Sequence, residues 1–215
     1  MSDKKGSKEP ADTSAMYMEL SKQEKSGDFD KALRTCNKIL NLTPKDETAF
    51  HCKMVCLMQL GKFEDAVRQI ADTHFTNLDL IFEEAYCLYR MNKPEESLKI
   101  LEKTSSKSDK IKELKAQVYY RLEMFEKSYE LYRDILKNSS DDFEQERITN
   151  LQASAVYCKN VPVSNDGEED DSYEMCYNKA CQLLDKGKPQ FFMWFTSVHI
   201  TFKFFQFLWT LVLGR

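Results

Sequence analysis

Two stretches decide how this chain folds: SGDFDKALRTCNKIL, Ser26 to Leu40, and LGKFEDAVRQI, Leu60 to Ile70. Each opens on a glycine and runs into apolar residues three and four apart. That pattern predicts a helix ended by glycine, a tight turn, and an amphipathic second helix. Laid over each other, Gly27, Phe29 and Ala32 recur 34 residues on as Gly61, Phe63 and Ala66. Asn92, Pro94, Ser97 and then Glu123, Phe125, Ser128 follow at spacings of 31.

A period near 34 built from two helices is that of the tetratricopeptide repeat. The expected fold is therefore all-α: a helical solenoid, a right-handed superhelix of antiparallel helix pairs. Glycine relieves the strain of leaving one helix for the next. Phe29, Phe63 and Phe125 should fill the crevice between paired helices, and Ala32, Ala66, Ser97 and Ser128 are small enough to stand where the pair crosses closest. First helices are expected over Thr13–Ser26, Glu47–Leu60, Asn77–Met91, Asp109–Leu122, Phe143–Lys159 and Ser172–Lys186. The second helices carry apolar stripes such as Leu33, Cys36, Ile39, Leu40 and Tyr129, Tyr132, Ile135, Leu136.

The organisation expected from this register is a disordered tail over 1–12, an array of about five and a half helix pairs over 13–187 with an acidic loop at 161–171, and a hydrophobic aromatic tail over 188–215. The chain has 215 residues, 31% of them charged, and few glycines or prolines, as suits a soluble helical protein. Every Asp and Glu precedes Phe191, so residues 1–190 hold 29 basic against 35 acidic side chains, or −6. Without a basic block this is a poor surface for phosphates, and direct nucleic-acid binding is not expected. The N-terminus has no apolar stretch that a secretory machinery could read, and seven cysteines scattered through helical segments suit free thiols in a reducing compartment. The expected location is cytoplasmic.

Chemistry at a catalytic site is not expected either. There is no phosphate-cradling glycine loop, and His51, His74 and His199 stand apart from any partner set for a triad or an acid–base pair. His51, Cys52 and Cys56 lack a second ligand pair at zinc spacing, so no metal and no cofactor are expected. What the repeats do offer is an inner wall of first helices of the kind that holds an extended or helical peptide. The candidate groove residues are Phe82, Tyr86, Tyr89 and Arg90 in the third repeat and Glu113, Gln117, Tyr120 and Arg121 in the fourth. Tyr and Arg join large apolar area to a directional polar end, as interface anchors do.

Longer runs carry a resemblance: AFHCKMVCLMQLGKFEDAV from Ala49, FEEAYCLYRMNKPEESLKIL from Phe82, the stretch from Lys112 through Ala153, and YEMCYNKAC from Tyr173. Together, over about residues 17–187, they resemble the N-terminal repeat region of the seventy-two-kilodalton subunit family of the signal recognition particle. Asn150, Tyr177 and Asn178 are among the residues that carry the likeness, and they join the groove set on that ground. The resemblance implies a non-enzymatic scaffold whose partner is a C-terminal segment of the sixty-eight-kilodalton subunit, in co-translational targeting to the endoplasmic reticulum. It also implies contact with RNA only through the particle, since the family's basic RNA-binding segment is missing from this sequence. The alternatives are a generic co-chaperone or adaptor clamp, which needs convergent Lys and Arg to grip a carboxylate, and a tail-anchored adaptor.

The anchor alternative rests on the stretch KGKPQFFMWF, Lys186 to Phe195, where the repeat pattern stops. Five residues beyond Gly187 stands Phe192 in place of the small residue, which predicts that the sixth repeat keeps one helix only. From Phe191 to Leu213, 16 of 23 residues are apolar, long enough in a helix to cross about 30 Å of hydrocarbon. Lys203 at its centre opposes insertion by about 3 kcal/mol. An altered end unrelated to the family, a membrane anchor and a fold-back cap on the last repeat all remain open for this tail.

Overall fold

A computed structural model of the chain describes residues 13–73, 75, 78–106, 108–138, 141–162 and 172–188. Among them are ten helices and no strand: α1 (Ser14–Lys25), α2 (Phe29–Leu42), α3 (Glu47–Gln59), α4 (Phe63–Ala71), α5 (Ile81–Arg90), α6 (Pro94–Leu101), α7 (Asp109–Arg121), α8 (Phe125–Asn138), α9 (Glu144–Ala155) and α10 (Tyr173–Asp185). The acidic loop beyond Pro162 and both tails, 1–12 and 189–215, lie outside the described residues.

The turns explain the repeat. Gly27, Gly61, Asn92, Glu123 and Gly187 all take φ between 57° and 71°. Around each, two bonds recur: at Gly27, Asp28 N–H donates to Gln23 O and Gly27 N–H to Glu24 O, both at 3.0 Å. The same pair joins Lys62 to Leu57 and Gly61 to Met58, Lys93 to Leu88 and Asn92 to Tyr89, Met124 to Tyr119 and Glu123 to Tyr120. This is the Schellman arrangement, which satisfies the last carbonyls of one helix and turns the chain back. Only glycine takes that backbone freely, and asparagine tolerates it. Glu123 is the strained copy, at φ 57°. Glu123→Gly should therefore raise the unfolding free energy by about 0.5–1 kcal/mol, since relief of the left-handed strain outweighs glycine's greater freedom when unfolded. A urea midpoint at or below that of the parent would show that the strain is absent.

Two compact units divide the chain at Ser105. In the first, α1 to α6, the core is a succession of small clusters rather than one centre. Leu20, Ala32, Cys36 and Cys56 join α1, α2 and α3, with Tyr17 and Phe29 packed against them. Met54, Leu57, Ala66, Leu80 and Cys87 join α3, α4 and α5. In the second unit, α7 to α10, Ala116, Tyr132 and Ile135 form the cluster between α7 and α8, with Leu151 of α9 against it. Each cluster is built by neighbours in sequence, as in helical repeat proteins.

The small residues stand where expected, and two of them do more than make room. Ala32, Ala66, Ser97 and Ser128 are sealed from solvent. Ser97 Oγ donates to Ala85 O at 2.8 Å and Ser128 Oγ to Ala116 O at 2.9 Å, so each serine bonds the backbone of the helix it crosses.

Two helices differ from the expected bounds. α5 begins at Ile81, not Asn77, because Leu80 takes the cap position and Asp79 accepts the Ile81 N–H at 3.1 Å. α9 ends at Ala155, short of Lys159, and ends without a left-handed residue: Tyr157 and Cys158 close it with bonds to Ser154 O and Ala155 O.

Candidate protein-binding surface

Counting back from the left-handed residue of each turn puts the first helices in one register. Phe82, Tyr86 and Tyr89 stand ten, six and three residues before Asn92. Glu113, Gln117 and Tyr120 hold those places before Glu123, and Tyr177, Cys181 and Leu184 before Gly187. Spacings of four and three keep each triplet on one helix face.

In the first unit that face is an aromatic and guanidinium cluster. Phe82 and Tyr86 stack with ring centroids 6.0 Å apart, and Phe63, the first residue of α4, meets Tyr86 edge-on at 6.3 Å. Arg90 donates from Nη1 to the Tyr86 hydroxyl at 2.7 Å. Its guanidinium carbon lies 4.9 Å from the Phe63 centroid and 5.6 Å from that of Tyr86. The rings hold a planar cation whose other N–H groups can serve a carbonyl or carboxylate. Tyr89 is half-buried beside them.

In the second unit the same register is partly committed to the fold. Glu113 accepts from Arg147 Nε at 3.3 Å, and Arg147 Nη1 donates to Asp141 at 2.9 Å. Arg147 is 5% exposed. Burial works against its charge, but Asp141 and Glu113 outweigh this and hold its pKa above the ordinary value. Gln117 is half-buried and Arg121 exposed. Tyr120 meets Phe125 edge-on at 5.5 Å, and Phe125 stacks on Tyr157 at 4.3 Å. Burial pushes the Tyr120 hydroxyl pKa up, with Tyr157 and Cys181 adding to the shift.

The residues brought in by resemblance divide. Tyr177 is 60% exposed on α10. Asn178 instead donates from Nδ2 to Thr149 O at 3.1 Å, binding α10 to α9. Glu83, at the matching place in α5, reaches back in the same way to His51 of α3 at 2.9 Å. Asn150 is half-buried, and its carbonyl accepts from Ser154 Oγ at 3.0 Å. The sequence set missed Leu184 and Tyr157, both more than half exposed. Leu184 shares the register place of Tyr89 and Tyr120, so counting from Gly187 would have found it. Tyr157 follows a helix without the turn signature, and nothing local marked it.

Among the described residues no group of three or more His, Cys, Asp and Glu side chains could hold a metal ion, and no helix is long and apolar enough to cross a membrane. The surface as built offers rings, hydroxyls and guanidinium groups on ridged helices. Such a surface suits the apolar and polar groups of a peptide segment.

Comparison with known proteins accords with the register. The SRP_TPR_like family model, a TPR-like repeat, matches residues 33–156, more than half of the chain. The signal recognition particle subunit SRP72 of Homo sapiens is 43% identical over 180 residues, covering 81% of this chain and 27% of that protein. SRP72 of Dictyostelium discoideum is 36% identical over 179 residues, or 80% of this chain and 26% of that one. SRP72 of Caenorhabditis elegans is 36% identical over 175 residues, covering 80% and 28%. The chain spans about a quarter of the length of these curated relatives. With one helix-ending turn repeated at Gly61, Asn92 and Glu123 inside the residues that the family model matches, the chain belongs to the SRP_TPR_like family, and its repeats are similar to the N-terminal tetratricopeptide-repeat region of SRP72.

Proposed function

We propose that the chain is a non-enzymatic scaffold subunit of the signal recognition particle, holding a C-terminal segment of the sixty-eight-kilodalton subunit against its first-helix faces. It works in the cytoplasm, in co-translational targeting to the endoplasmic reticulum, and meets the particle's RNA only through the assembly. The likeness to SRP72 subunits supports the particle. The observation that carries the binding mode is Arg90, fixed between the Phe63 and Tyr86 rings with its hydrogen bond to Tyr86 already made. A pre-oriented guanidinium beside exposed ring area loses little side-chain freedom on binding, which favours an anchor.

Titration calorimetry with the C-terminal segment of the sixty-eight-kilodalton subunit tests this. Tyr86→Ala and Arg90→Ala should each weaken binding by roughly 10- to 100-fold, the range of interface anchors. Arg90→Lys should not restore it, because an ammonium cannot lie flat between the rings and present a fork. Unchanged dissociation constants in variants that melt like the parent would remove α5 from the binding surface.

A further inference from the structure

In the first unit the junction between one helix pair and the next reuses two places of the repeat. One lies nine residues after the left-handed residue, on the second helix of a pair. The other lies five residues before the next such residue, on the first helix of the following pair. At the junction of α2 with α3 these places hold Cys36 and Cys56, and at that of α4 with α5 they hold Ile70 and Cys87. Both junctions are packed: Cys36 and Cys56 share a cluster with Leu20 and Ala32, and Ile70 lies against the cluster that contains Cys87. The register thus sets thiol against thiol at the first junction and an aliphatic side chain against a thiol at the second.

The change of neighbour alters the thiol. Cys87 is sealed from solvent, and burial, with Glu83, Glu64 and Glu84 adding to it, pushes its pKa up to about 12. Cys56 is 5% exposed, yet its pKa lies below the ordinary value, because the hydrogen bond with Cys36 favours its thiolate against burial and the Glu24 carboxylate. The same bond, together with burial, raises the pKa of Cys36, so Cys36 keeps its proton and donates it to the Cys56 sulfur. A thiolate, not a thiol, attacks an oxidant. Cys52, four residues before Cys56 on α3, packs against the cluster and is only half-buried, so the pair lies near the surface.

We propose that Cys36 and Cys56 form a site of reversible oxidation, which reacts with a peroxide and closes a disulfide that locks the first helix pair onto the second. The Cys56 thiolate attacks the peroxide: an S–O bond forms, the O–O bond breaks, and the departing hydroxide takes up a proton as water. Cys36 then attacks the sulfenic sulfur. The S–S bond forms, the S–O bond breaks, and the oxygen leaves as a second water with the Cys36 proton. Two thiols lose two electrons and one peroxide gains them. A dithiol opens the bridge again by exchange. The closed loop spans the end of α2, the turn at Pro44 and the start of α3, and restricting that loop in the unfolded chain favours the folded one. This site is independent of the binding role proposed for α5.

Peptide mapping of the full chain tests it. The reduced chain, freed of reductant and exposed to hydrogen peroxide, is quenched in urea with N-ethylmaleimide and cut with trypsin. Cleavage after Lys38, Lys45 and Lys53 puts Cys36, Cys52 and Cys56 on separate peptides. Mass spectrometry without reduction should find Thr35–Lys38 joined to Met54–Lys62 in monomeric chain, with Cys87 still alkylated, and dithiothreitol should part them. The urea midpoint should rise on oxidation in the parent and stay put in Cys36→Ala. Because that variant could loosen the cluster, the map of the parent decides by itself. A bridge between Cys52 and Cys56, a sulfinic Cys56 without a bridge, or Cys87 oxidised as fast as Cys56 overturns the proposal. So does a mapped Cys36–Cys56 bridge that leaves the midpoint unmoved.

Discussion

Tyr132→Ala should lower the unfolding free energy of the second unit by about 3–5 kcal/mol, the range for deleting a large aromatic side chain from a closed core. Tyr132 is 1% exposed and sits with Ala116 and Ile135 in the cluster that α8 forms against α7, with Leu131 and Leu151 at its edge. Three helices contribute to that cluster, and the backbone carbonyl of Ala116 is already bonded to Ser128, which limits how far α7 and α8 can collapse into the space left. A site that cannot collapse keeps its cavity and most of the cost. Urea unfolding followed by circular dichroism gives the number. Hydrogen exchange places it: protection should fall first in α7, α8 and α9. A loss below about 1 kcal/mol would mean that the ring contributes little beyond filling a gap that its neighbours can close.

Arg147→Met should cost about 2–3 kcal/mol. The methionine keeps most of the apolar stem but strips Glu113 and Asp141 of their donor. The guanidinium is nearly sealed, and its two bonds tie α9 to α7 and to the turn that precedes α9 itself. The loss stays below that of a fully enclosed ion pair, because the Asp141 side chain is 43% exposed and water can take over part of its solvation. Glu113→Gln, which keeps an acceptor for Arg147, should cost distinctly less. An Arg147→Met variant as stable as the parent would show that water replaces the guanidinium without loss.

The same site gives a pH dependence with a definite sign. The Phe143 N–H that Asp141 accepts, and its bond to Arg147, hold the Asp141 pKa below its ordinary value of 3.8, against the opposing effect of burial. A carboxyl depressed in the folded state stabilises the fold in full above the unfolded pKa, and that stability is lost as pH falls through the folded one. The difference between parent and Arg147→Met should therefore shrink on acidification below about pH 4 and stay flat between pH 5 and 8.

Helix existence and phase were legible because the interactions that set them are local. At a left-handed residue the helix ends through bonds to the carbonyls three and four residues before it, one made by its own N–H and one by the N–H that follows. The signal is therefore a residue type at a fixed offset from an apolar stripe, and it repeats with the unit. Even Asn92 and Glu123, which are not glycine, could be placed by counting 31 residues from a neighbouring copy. The aromatic face of α5 was legible for the same reason: Phe82, Tyr86 and Arg90 share a face by helical spacing alone. The end of α9 was not, since no left-handed residue closes it.

What the sequence by itself determined, then, is the set of helices, the turn that ends five of them, the small residues at the crossings and the faces that could meet a peptide. Only the tertiary structure decided which polar side chains on those faces are already committed. Glu113 goes to Arg147 and Asn178 to the Thr149 carbonyl, while Arg90 lies between Phe63 and Tyr86. Tyr177 and Leu184 are more than half exposed on α10. The physical reason is separation along the chain. A helix cap is fixed by neighbours within five residues, whereas Arg147 and Glu113 are 34 apart and meet only because α7 and α9 pack at one particular offset. That offset depends on how the side chains of several helices interlock at once, which no single stretch of sequence specifies.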